Sequence, residues 1–192
     1  GPARFQVGEG GGADDGGDGA ARNDFQPLFE QLEREGRLPG QLAVLGALGA
    51  RTASPDQAVA SAFDTPVRMA QALAQADIAQ PMRLMLVTAG SQAIGTGPEA
   101  GPAAPLQAVA LGPCRVVPRE LPQLRCRLVD LDPAESGGQA AVAQLLAEAA
   151  APDSGDLAAW REGQRWQPHR VRAPAGPTRQ PARLREGGVY LI

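Results

Sequence analysis

The sequence predicts an α/β fold in which a parallel β-sheet is covered by helices. Short apolar runs alternate with helix-type segments along residues 25–150, which is typical of a parallel sheet with helical crossovers. Two of those runs, Leu42–Leu48 and Leu84–Val87, show no polar–apolar alternation, as expected of strands buried on both faces. Hydrophobic residues make up 43% of the 192 residues, which is enough to build the core of one soluble domain.

The first part of the chain predicts little regular structure. Ala3–Val7 is long enough for a short strand, and the following Gly8–Asp18 consists almost entirely of Gly, Asp and Ala. That composition buries too little apolar surface to offset the entropy cost of ordering. We therefore assign residues 1–24 to a short strand plus a flexible Gly/Asp-rich loop.

A helix and a buried strand are predicted next. Asn23 or Asp24 can cap a helix that ends near Gly36. Leu42–Leu48 is an apolar run without alternation, which predicts a strand buried on both faces. One face of the helix is apolar and carries Phe25, Leu28, Phe29 and Leu32.

The same order then repeats. Ser54-Pro55 opens a second helical region, because Pro is favoured in the first turn of a helix. We expect this region to bend at Pro66 and to continue to about Ile78. Leu84–Val87 predicts another buried strand.

Two more helices and a strand complete the alternation. Ala104–Val117 predicts a helix that is interrupted or ends near Gly112-Pro113. Leu124–Leu131 predicts a strand, since it alternates at first and then becomes apolar. Ala134–Ala150 has the clearest helical pattern, with an apolar side that consists of Val142, Leu145 and Leu146.

A β-hairpin is predicted near the C-terminus. Leu157–Trp160 and Arg165–Val171 flank Glu162-Gly163, which is a favourable two-residue turn. Trp160 and Trp166 are expected to pack against each other across this hairpin.

These elements define a truncated Rossmann-like sheet with flanking helices and a β-hairpin near the C-terminus. We place this subdomain at residues 25–172. A Pro-rich linker, Ala173–Pro181, follows it, and Gly187–Ile192 has the pattern of a buried strand. Residues 173–192 are therefore assigned to a linker and one strand.

Charge and composition argue against several classes of function. The formal net charge is −3, which disfavours non-specific binding to nucleic acid. No apolar run approaches the roughly 20 residues that span a bilayer, and no signal segment opens the sequence. We expect a cytoplasmic protein with no nucleic-acid and no membrane partner. Lysine is absent from the sequence, which excludes Schiff-base chemistry and a P-loop lysine.

Cysteine, histidine and arginine leave few candidate binding sites. Cys114 and Cys126 do not form a CxxC pair, and His169, the lone histidine, has no Cys or His neighbour, so the sequence indicates neither a disulfide nor a zinc site. A cluster of arginines is open to two interpretations, a solvated strand face with a linker, which we prefer, or a phosphate site. The cluster consists of Arg161, Arg165, Arg170, Arg172, Arg179, Arg183 and Arg185.

Two segments match parts of dinucleotide-binding motifs. Gly8–Ala13 fits GxGxxA, but an acidic run follows where a helix would have to receive the pyrophosphate. Thr88–Gly95 follows a strand and is similar to the TGxxxGIG turn, yet Ala89 and Ala93 replace two of its glycines and obstruct close backbone approach. We expect neither segment to bind a cofactor.

No catalytic constellation is evident. Tyr190, the only tyrosine, lies in the predicted final strand, and Ser136 and Ser154 have no histidine nearby in sequence. Asp130-Leu131-Asp132 offers carboxylates for acid–base or metal chemistry, although we prefer to interpret it as the polar end of a strand that leads to Pro133. We therefore assign no catalytic, cofactor-binding or metal-ligating residue.

Several stretches, taken in order, resemble the ketoreductase region of modular type I polyketide synthases. The most specific stretches are Gly112–Pro118 and Leu124–Leu131. The other stretches are Phe29–Leu32, Gly36–Pro39, Met69–Leu73, Leu84–Thr88, Trp160–Trp166 and Gly187–Ile192. The chain departs from the family pattern at Gly8–Asp18, which is an insertion, and at Gly112–Cys114.

The resemblance implies a place within a larger protein. Such ketoreductases have two Rossmann-like halves, of which the second binds NADPH and carries the catalytic Ser, Tyr, Lys and Asn. The first half is a truncated structural subdomain, and this chain resembles that half. Residues 173–192 would then be a linker and the first strand of the following catalytic subdomain. No cofactor is expected in this chain, while NADPH is expected in the attached catalytic half.

The expected function follows from this resemblance. The chain would support an NADPH-dependent β-ketoacyl reductase of secondary-metabolite biosynthesis and would not be an enzyme by itself. Its partners would be the catalytic ketoreductase subdomain, other domains of the same synthase and an acyl carrier protein. The alternative is an inactive pseudo-ketoreductase scaffold that docks domains such as a methyltransferase or an enoylreductase. An independent small-molecule-binding Rossmann domain is a third hypothesis.

Overall fold

A computed structural model of the chain describes residues 25–49, 54–95, 102, 104–151, 155–172 and 187–189. Over these ranges, five strands form one sheet in the order β1-β2-β3-β4-β5. Strands β1 to β4 are parallel, and β5 pairs antiparallel with β4. The strands are β1 (Gln41–Val44), β2 (Met82–Ala89), β3 (Leu124–Leu131), β4 (Leu157–Arg161) and β5 (Gln164–Trp166).

Helices cover both faces of this sheet, so the predicted truncated Rossmann-like α/β class is confirmed. Helices α1, α4 and α5 supply the core of one face, and α6 covers the other. In the part of the chain that the structure describes, no helix has both the length and the apolar character to cross a membrane. The helices are α1 (Phe25–Arg34), α2 (Gly46–Gly49), α3 (Pro55–Val59), α4 (Thr65–Gln75), α5 (Leu111–Glu120) and α6 (Gln139–Ala150).

The larger core lies between the sheet and helices α1, α4 and α5. Phe29 of α1 and Leu73 of α4 are buried and pack in one cluster with Leu84 and Leu124 of the two central strands. Burial of each such side chain contributes about 1.5–3 kcal/mol before the entropy cost is subtracted. This face therefore supplies much of the stability that fixes the order of the strands.

The opposite face is covered by α6, and its predicted apolar side is confirmed only in part. The helix begins at Gln139 rather than Ala134, and Ala141 and Leu145 pack against the sheet. Val142 and Leu146 are 56% and 66% exposed, so these two side chains do not pack against the core. The buried side of α6 also carries Glu148, which pairs with an arginine of β3.

The first strand is shorter and more exposed than predicted. Among the described residues, Gln41–Val44 is the outermost strand and pairs only with β2, whereas the sequence predicted a strand over Leu42–Leu48 buried on both faces. The end of that run forms the single turn α2, where Ala47 enters the core. The run is apolar because a helical turn packs against the sheet there, and not because a long central strand occupies it.

The second helical region begins as predicted and contains an irregular turn. The Ser54 side chain accepts a hydrogen bond from the Gln57 amide at 3.3 Å, and the Gln57 side chain accepts one from the Ser54 amide at 3.2 Å. This capping box stabilises the start of α3. A π-helical turn, Ala60–Asp64, joins α3 to α4 and lies just before Pro66. The predicted irregularity therefore lies just before the proline, which has no amide hydrogen to donate.

The helical region changes geometry next to the point where an interruption was predicted. A 3₁₀ helix, Pro105–Ala110, is followed by α5 from Leu111, so Gly112-Pro113 lies within the first turn of α5. Amides of a first turn have no intrahelical partner, so a proline costs little there. The helical region does not end at this point but continues to Glu120, beyond the predicted Val117.

The hairpin turn forms where the sequence predicted it, but the tryptophans do not meet. Glu162 and Gly163 have φ angles of 50° and 71°, as in a type I′ turn. In this hairpin, Trp160 lies opposite Arg165, and Trp166 lies opposite Ala159. Trp160 and Trp166 therefore point to opposite faces of the hairpin, because side chains alternate along a strand. Strand β5 also ends at Trp166, earlier than predicted.

Replacing Glu162 by asparagine should stabilise the hairpin. Asparagine tolerates a positive φ better than glutamate does, and it is favoured in type I′ turns. We expect the free energy of unfolding to rise by about 0.5–1 kcal/mol, measured as a shift of the urea midpoint. The control Gly163→Ala should lower it by about 1–2 kcal/mol, since a Cβ meets no atom within 4 Å there and only φ is strained. Equal effects of the two changes would contradict the turn assignment.

Some sequence predictions lie outside the described residues. These are the strand and loop of residues 1–24, the caps Asn23 and Asp24, and the Pro-rich linker. Of the predicted final strand, Val189 is described and exposed, and Tyr190–Ile192 lie outside the described part. The division of the chain at residues 24 and 172 stays a prediction.

Candidate functional site

The carboxyl ends of β2, β3 and β4 meet at one edge of the sheet. In open α/β folds, ligands bind at this edge, beside the loops that follow the strands. Five residues meet there, and we call them the Asp130 site. They are Thr88, Ser91, Gln92, Asp130 and Arg161.

Backbone amides of the loop after β2 point at the end of β3. Strand β2 ends at Ala89, and Gly90 turns the chain with a φ of 80°. The Ser91 amide then donates to Asp130 Oδ1 at 2.8 Å, and the Gln92 amide donates to Asp130 Oδ2 at 3.1 Å. Two successive backbone amides that converge in this way form an anion-binding concavity.

Side chains complete the shell around the Asp130 carboxylate, which is fully buried. Thr88 Oγ1 and Ser91 Oγ donate to Oδ1 at 2.7 and 2.9 Å. Arg161 forms an ion pair with Oδ2 through Nη2. The same guanidinium donates to the carbonyls of Gln92, at 2.8 Å, and Leu131, at 3.1 Å. Arg161 therefore ties the ends of three strands together.

The Asp130 site is closed to a phosphate by the protein's own carboxylate. In a nucleotide-binding loop, the amides after the strand would face a pyrophosphate. Here Asp130 already accepts from both amides. A phosphate would have to displace a buried, ion-paired carboxylate and would also be repelled by its charge. This gives a physical reason for the expectation that Thr88–Gly95 has no binding function.

Asp132, the second carboxylate considered from the sequence, caps two turns. It accepts from the amides of Ala134, at 2.9 Å, and Glu162, at 3.1 Å. These backbone hydrogen bonds hold the pKa of Asp132 below its usual range. Such a carboxylate is a weak proton acceptor, so its environment suits a structural cap better than acid–base catalysis.

A second buried charge lies beneath the hairpin and was missed by the sequence reasoning. Glu148 of α6 bonds Arg127 of β3 at 3.2 Å, the Trp160 indole at 3.0 Å and Arg165 of β5 at 3.0 Å. We call these four residues the Glu148 cluster. The side chains of Glu148 and Arg127 are 0% and 5% exposed. The sequence did contain a signal for this cluster, namely an acidic residue in an Ala-rich helix and an arginine inside a strand.

Opposing effects act on the pKa of Glu148. Burial alone raises it, but hydrogen bonding and charge from Arg165, the Trp160 indole and the charge of Arg127 outweigh burial. The pKa of Glu148 is therefore held below its usual range, and the carboxylate is ionised at neutral pH. Arg127 lies in β3, and Trp160 and Arg165 lie in the hairpin, so the Glu148 cluster joins α6, β3 and the hairpin.

The remaining candidate side chains do not assemble with these two sites. Burial raises the pKa of Cys114 and of Cys126 to about 12, so neither thiol is a nucleophile at neutral pH. Ser136 donates to the Pro133 carbonyl at 3.4 Å, and His169 is exposed. The other two candidates, Ser154 and Tyr190, lie outside the described residues.

Two grooves flank helix α5. One is apolar, encloses about 470 Å³ and lies against α4, with Phe63, Val67 and Val116 on its walls. The other encloses about 940 Å³ and is lined by arginines of α5 and β3. The two grooves use opposite sides of α5, as residues three to four apart share one side of a helix.

Comparison with known proteins shows similarity in fold. No protein-family model and no curated protein matches this chain. Among solved structures, the chain is similar to an adenylation, ketoreductase and pseudo-Asub multidomain structure of a keto acid-selecting NRPS module. The TM-score is 0.62 at 20% identity, over 74% of this chain and 12% of that chain.

A second similar structure is a C2-type ketoreductase from a modular polyketide synthase. It matches with a TM-score of 0.55 at 24% identity, over 72% of this chain and 29% of that chain. The match thus spans less than a third of the length of each matched structure. The truncated Rossmann-like fold of this chain occurs within structures that contain ketoreductases, which supports the resemblance predicted from the sequence at the level of fold.

Proposed function

We propose that the chain is the structural, non-catalytic half of a ketoreductase domain in a multidomain synthase. It would hold a separate, NADPH-binding half that reduces a β-ketoacyl group on an acyl carrier protein. Its partners would be that half and the neighbouring domains of the same synthase. The chain itself would contribute no group that touches the cofactor or the substrate.

The occupation of the Asp130 site carries this proposal. In an α/β domain that binds a nucleotide, the loop after a central strand supplies amides to the phosphate. In this chain those amides, from Ser91 and Gln92, are bound by Asp130. The chain therefore has the Rossmann-like architecture, but Asp130 fills the phosphate position. We expect this combination in a domain whose role is structural support.

The extent of the structural match is a second argument. About three quarters of this chain matches two ketoreductase-containing structures, yet the chain spans only 12% and 29% of them. A segment of that size corresponds to part of a ketoreductase domain, and the cofactor would be bound by the remainder. The Arg161 and Glu148 interactions make this part a rigid support, because they join strands, a helix and the hairpin.

Calorimetric titration with NADPH tests the proposal. We expect no binding heat with the chain alone, because Asp130 fills the phosphate position. We expect binding when the chain is joined to the sequence that follows it in its own gene, together with reduction of a β-ketoacyl thioester. The chain should also raise the melting temperature of that second half when the two are co-expressed.

Two other outcomes would contradict the proposal. Micromolar NADPH affinity of the chain alone would indicate an independent nucleotide-binding domain. A joined protein that binds no NADPH and reduces no thioester would favour the inactive scaffold that docks other synthase domains. A joined variant that lacks the catalytic tyrosine of the second half serves as the control for activity.

A further inference from the structure

The arginine-lined groove beside α5 has no part in the proposed function. We call it the arginine groove. Arg115 and Arg119 lie one turn apart on α5, Arg125 comes from β3, and Arg170 comes from the segment after β5. All four residues are exposed. Three separate elements thus bring positive charge to one depression of about 940 Å³.

The charge of the groove is opposite to that of the whole chain. Asp156 is the carboxylate among the described lining residues, and it pairs with Arg115 at 3.0 Å. The described lining therefore has more arginines than carboxylates, while the chain has a formal net charge of −3. A positive groove on an acidic protein attracts anions locally without favouring non-specific contact with nucleic acid.

Neutral residues also line the groove. They are Cys114, Pro118, Cys126 and Pro168. Burial raises the pKa of both thiols to about 12, so they add no negative charge at neutral pH. Cationic side chains together with neutral, partly apolar lining residues fit a ligand that carries both carboxylates and apolar groups.

We propose that the arginine groove binds an acidic polypeptide segment of a partner protein or domain. Its carboxylates pair with Arg119 and Arg170, and its apolar side chains pack on the prolines. The groove volume of about 940 Å³ far exceeds that of a phosphate ion. A phosphate ion occupies at most a few times the roughly 30 Å³ of a water molecule in the liquid. This inference goes beyond the proposed function and holds whether or not the chain supports a reductase.

Three of the C-terminal arginines have different surroundings, while Arg179, Arg183 and Arg185 lie outside the described residues. Arg161 and Arg165 serve internal ion pairs at the Asp130 site and the Glu148 cluster. Arg170 faces the groove. Since exposed ion pairs are weak singly and screened by salt, binding should be of modest affinity and should fall as ionic strength rises.

Fluorescence anisotropy with the whole chain tests this site. The probe is a labelled peptide of alternating Glu and Leu, and its comparison is the same peptide with Gln in place of Glu. We expect the acidic peptide to bind at low salt and the Gln peptide not to bind. The double variant Arg119→Glu/Arg170→Glu should weaken binding about tenfold or more, because two attractive contacts become repulsive.

A matched variant controls for total charge. Arg34→Glu/Arg37→Glu makes the same charge change at the end of α1, away from the groove, and should alter affinity less than about twofold. Arg119→Gln/Arg170→Gln gives a milder pair if charge reversal impairs folding, which circular dichroism monitors. Equal losses in the α1 and groove variants, no binding by the native chain, or equal binding of a DNA oligonucleotide or inorganic phosphate would overturn the proposal.

Discussion

Replacement of Glu148 by glutamine is expected to lower the free energy of unfolding by about 3–5 kcal/mol. The change keeps the shape of the side chain but removes its charge. Arg127, which is almost completely buried, then loses the Glu148 carboxylate with which it forms an ion pair. Removing one member of a buried ion pair is far more costly than breaking an exposed pair. Urea unfolding followed by circular dichroism measures the effect.

An exposed pair of the same chain is the matched control. Arg115 and Asp156 are 53% and 43% exposed, so Asp156→Asn should cost less than about 1 kcal/mol. The double change Arg127→Met/Glu148→Leu should cost less than Glu148→Gln alone, because it leaves no buried charge at Arg127. Similar losses of unfolding free energy for Glu148→Gln and Asp156→Asn would show that burial of an ion pair does not determine how much its removal destabilises the chain.

The pH dependence of the Glu148 effect has a definite sign. The pKa of Glu148 is lower in the folded chain than its usual value, so the folded state holds fewer protons on this group than the unfolded state does. Its contribution is therefore complete above the unfolded pKa, near 4.3, and is lost as the pH falls through the folded pKa. The difference in stability between the native chain and Glu148→Gln should shrink across that acidic range.

Replacement of Asp130 by asparagine is expected to cost about 3 kcal/mol and to loosen the loop after β2. An amide has one acceptor oxygen, so either the Ser91 amide or the Gln92 amide faces an NH₂ group instead of an oxygen. Arg161 also loses its counter-charge. Urea unfolding gives the stability, and hydrogen exchange at the Ser91 and Gln92 amides should become faster.

The neighbouring carboxylate provides the comparison for Asp130. Asp132→Asn alters a turn cap that is open to solvent, so its expected cost is about 1 kcal/mol or less. Unchanged exchange at Ser91 and Gln92 in the Asp130→Asn variant would mean that the carboxylate does not hold the loop. The argument that Asp130 fills the phosphate position would then lose its basis.

One carboxylate thus explains two properties of the chain. Asp130 stabilises the edge of the sheet where three strands end, and it occupies the amides that a phosphate would need. A domain that serves as a support gains from such a closed edge. A nucleotide-binding domain would have to keep the same edge open. The replacement of two motif glycines by Ala89 and Ala93 and the presence of Asp130 both argue against such a role.

Local features were well predicted by the sequence. Leu124–Leu131 has the predicted bounds, the strand at Leu84–Val87 is found within β2, and the hairpin turns at Glu162-Gly163. Ser54-Pro55 begins a helix as expected. These features depend on side-chain periodicity, caps and φ preferences, which act over a few neighbouring residues.

Contacts between distant residues were decided by the tertiary structure. Arg127 and Glu148 are 21 residues apart, and Arg161 and Asp130 are 31 residues apart. The Arg127–Glu148 pair places Glu148 on the buried side of α6, where Val142 is exposed. Asp130, which pairs with Arg161, accepts from both amides of the candidate phosphate position. The sequence by itself determined the α/β class and most element positions, whereas the buried ion pairs required the folded chain. Each charge could be buried only opposite its partner, and strand register brings those partners together.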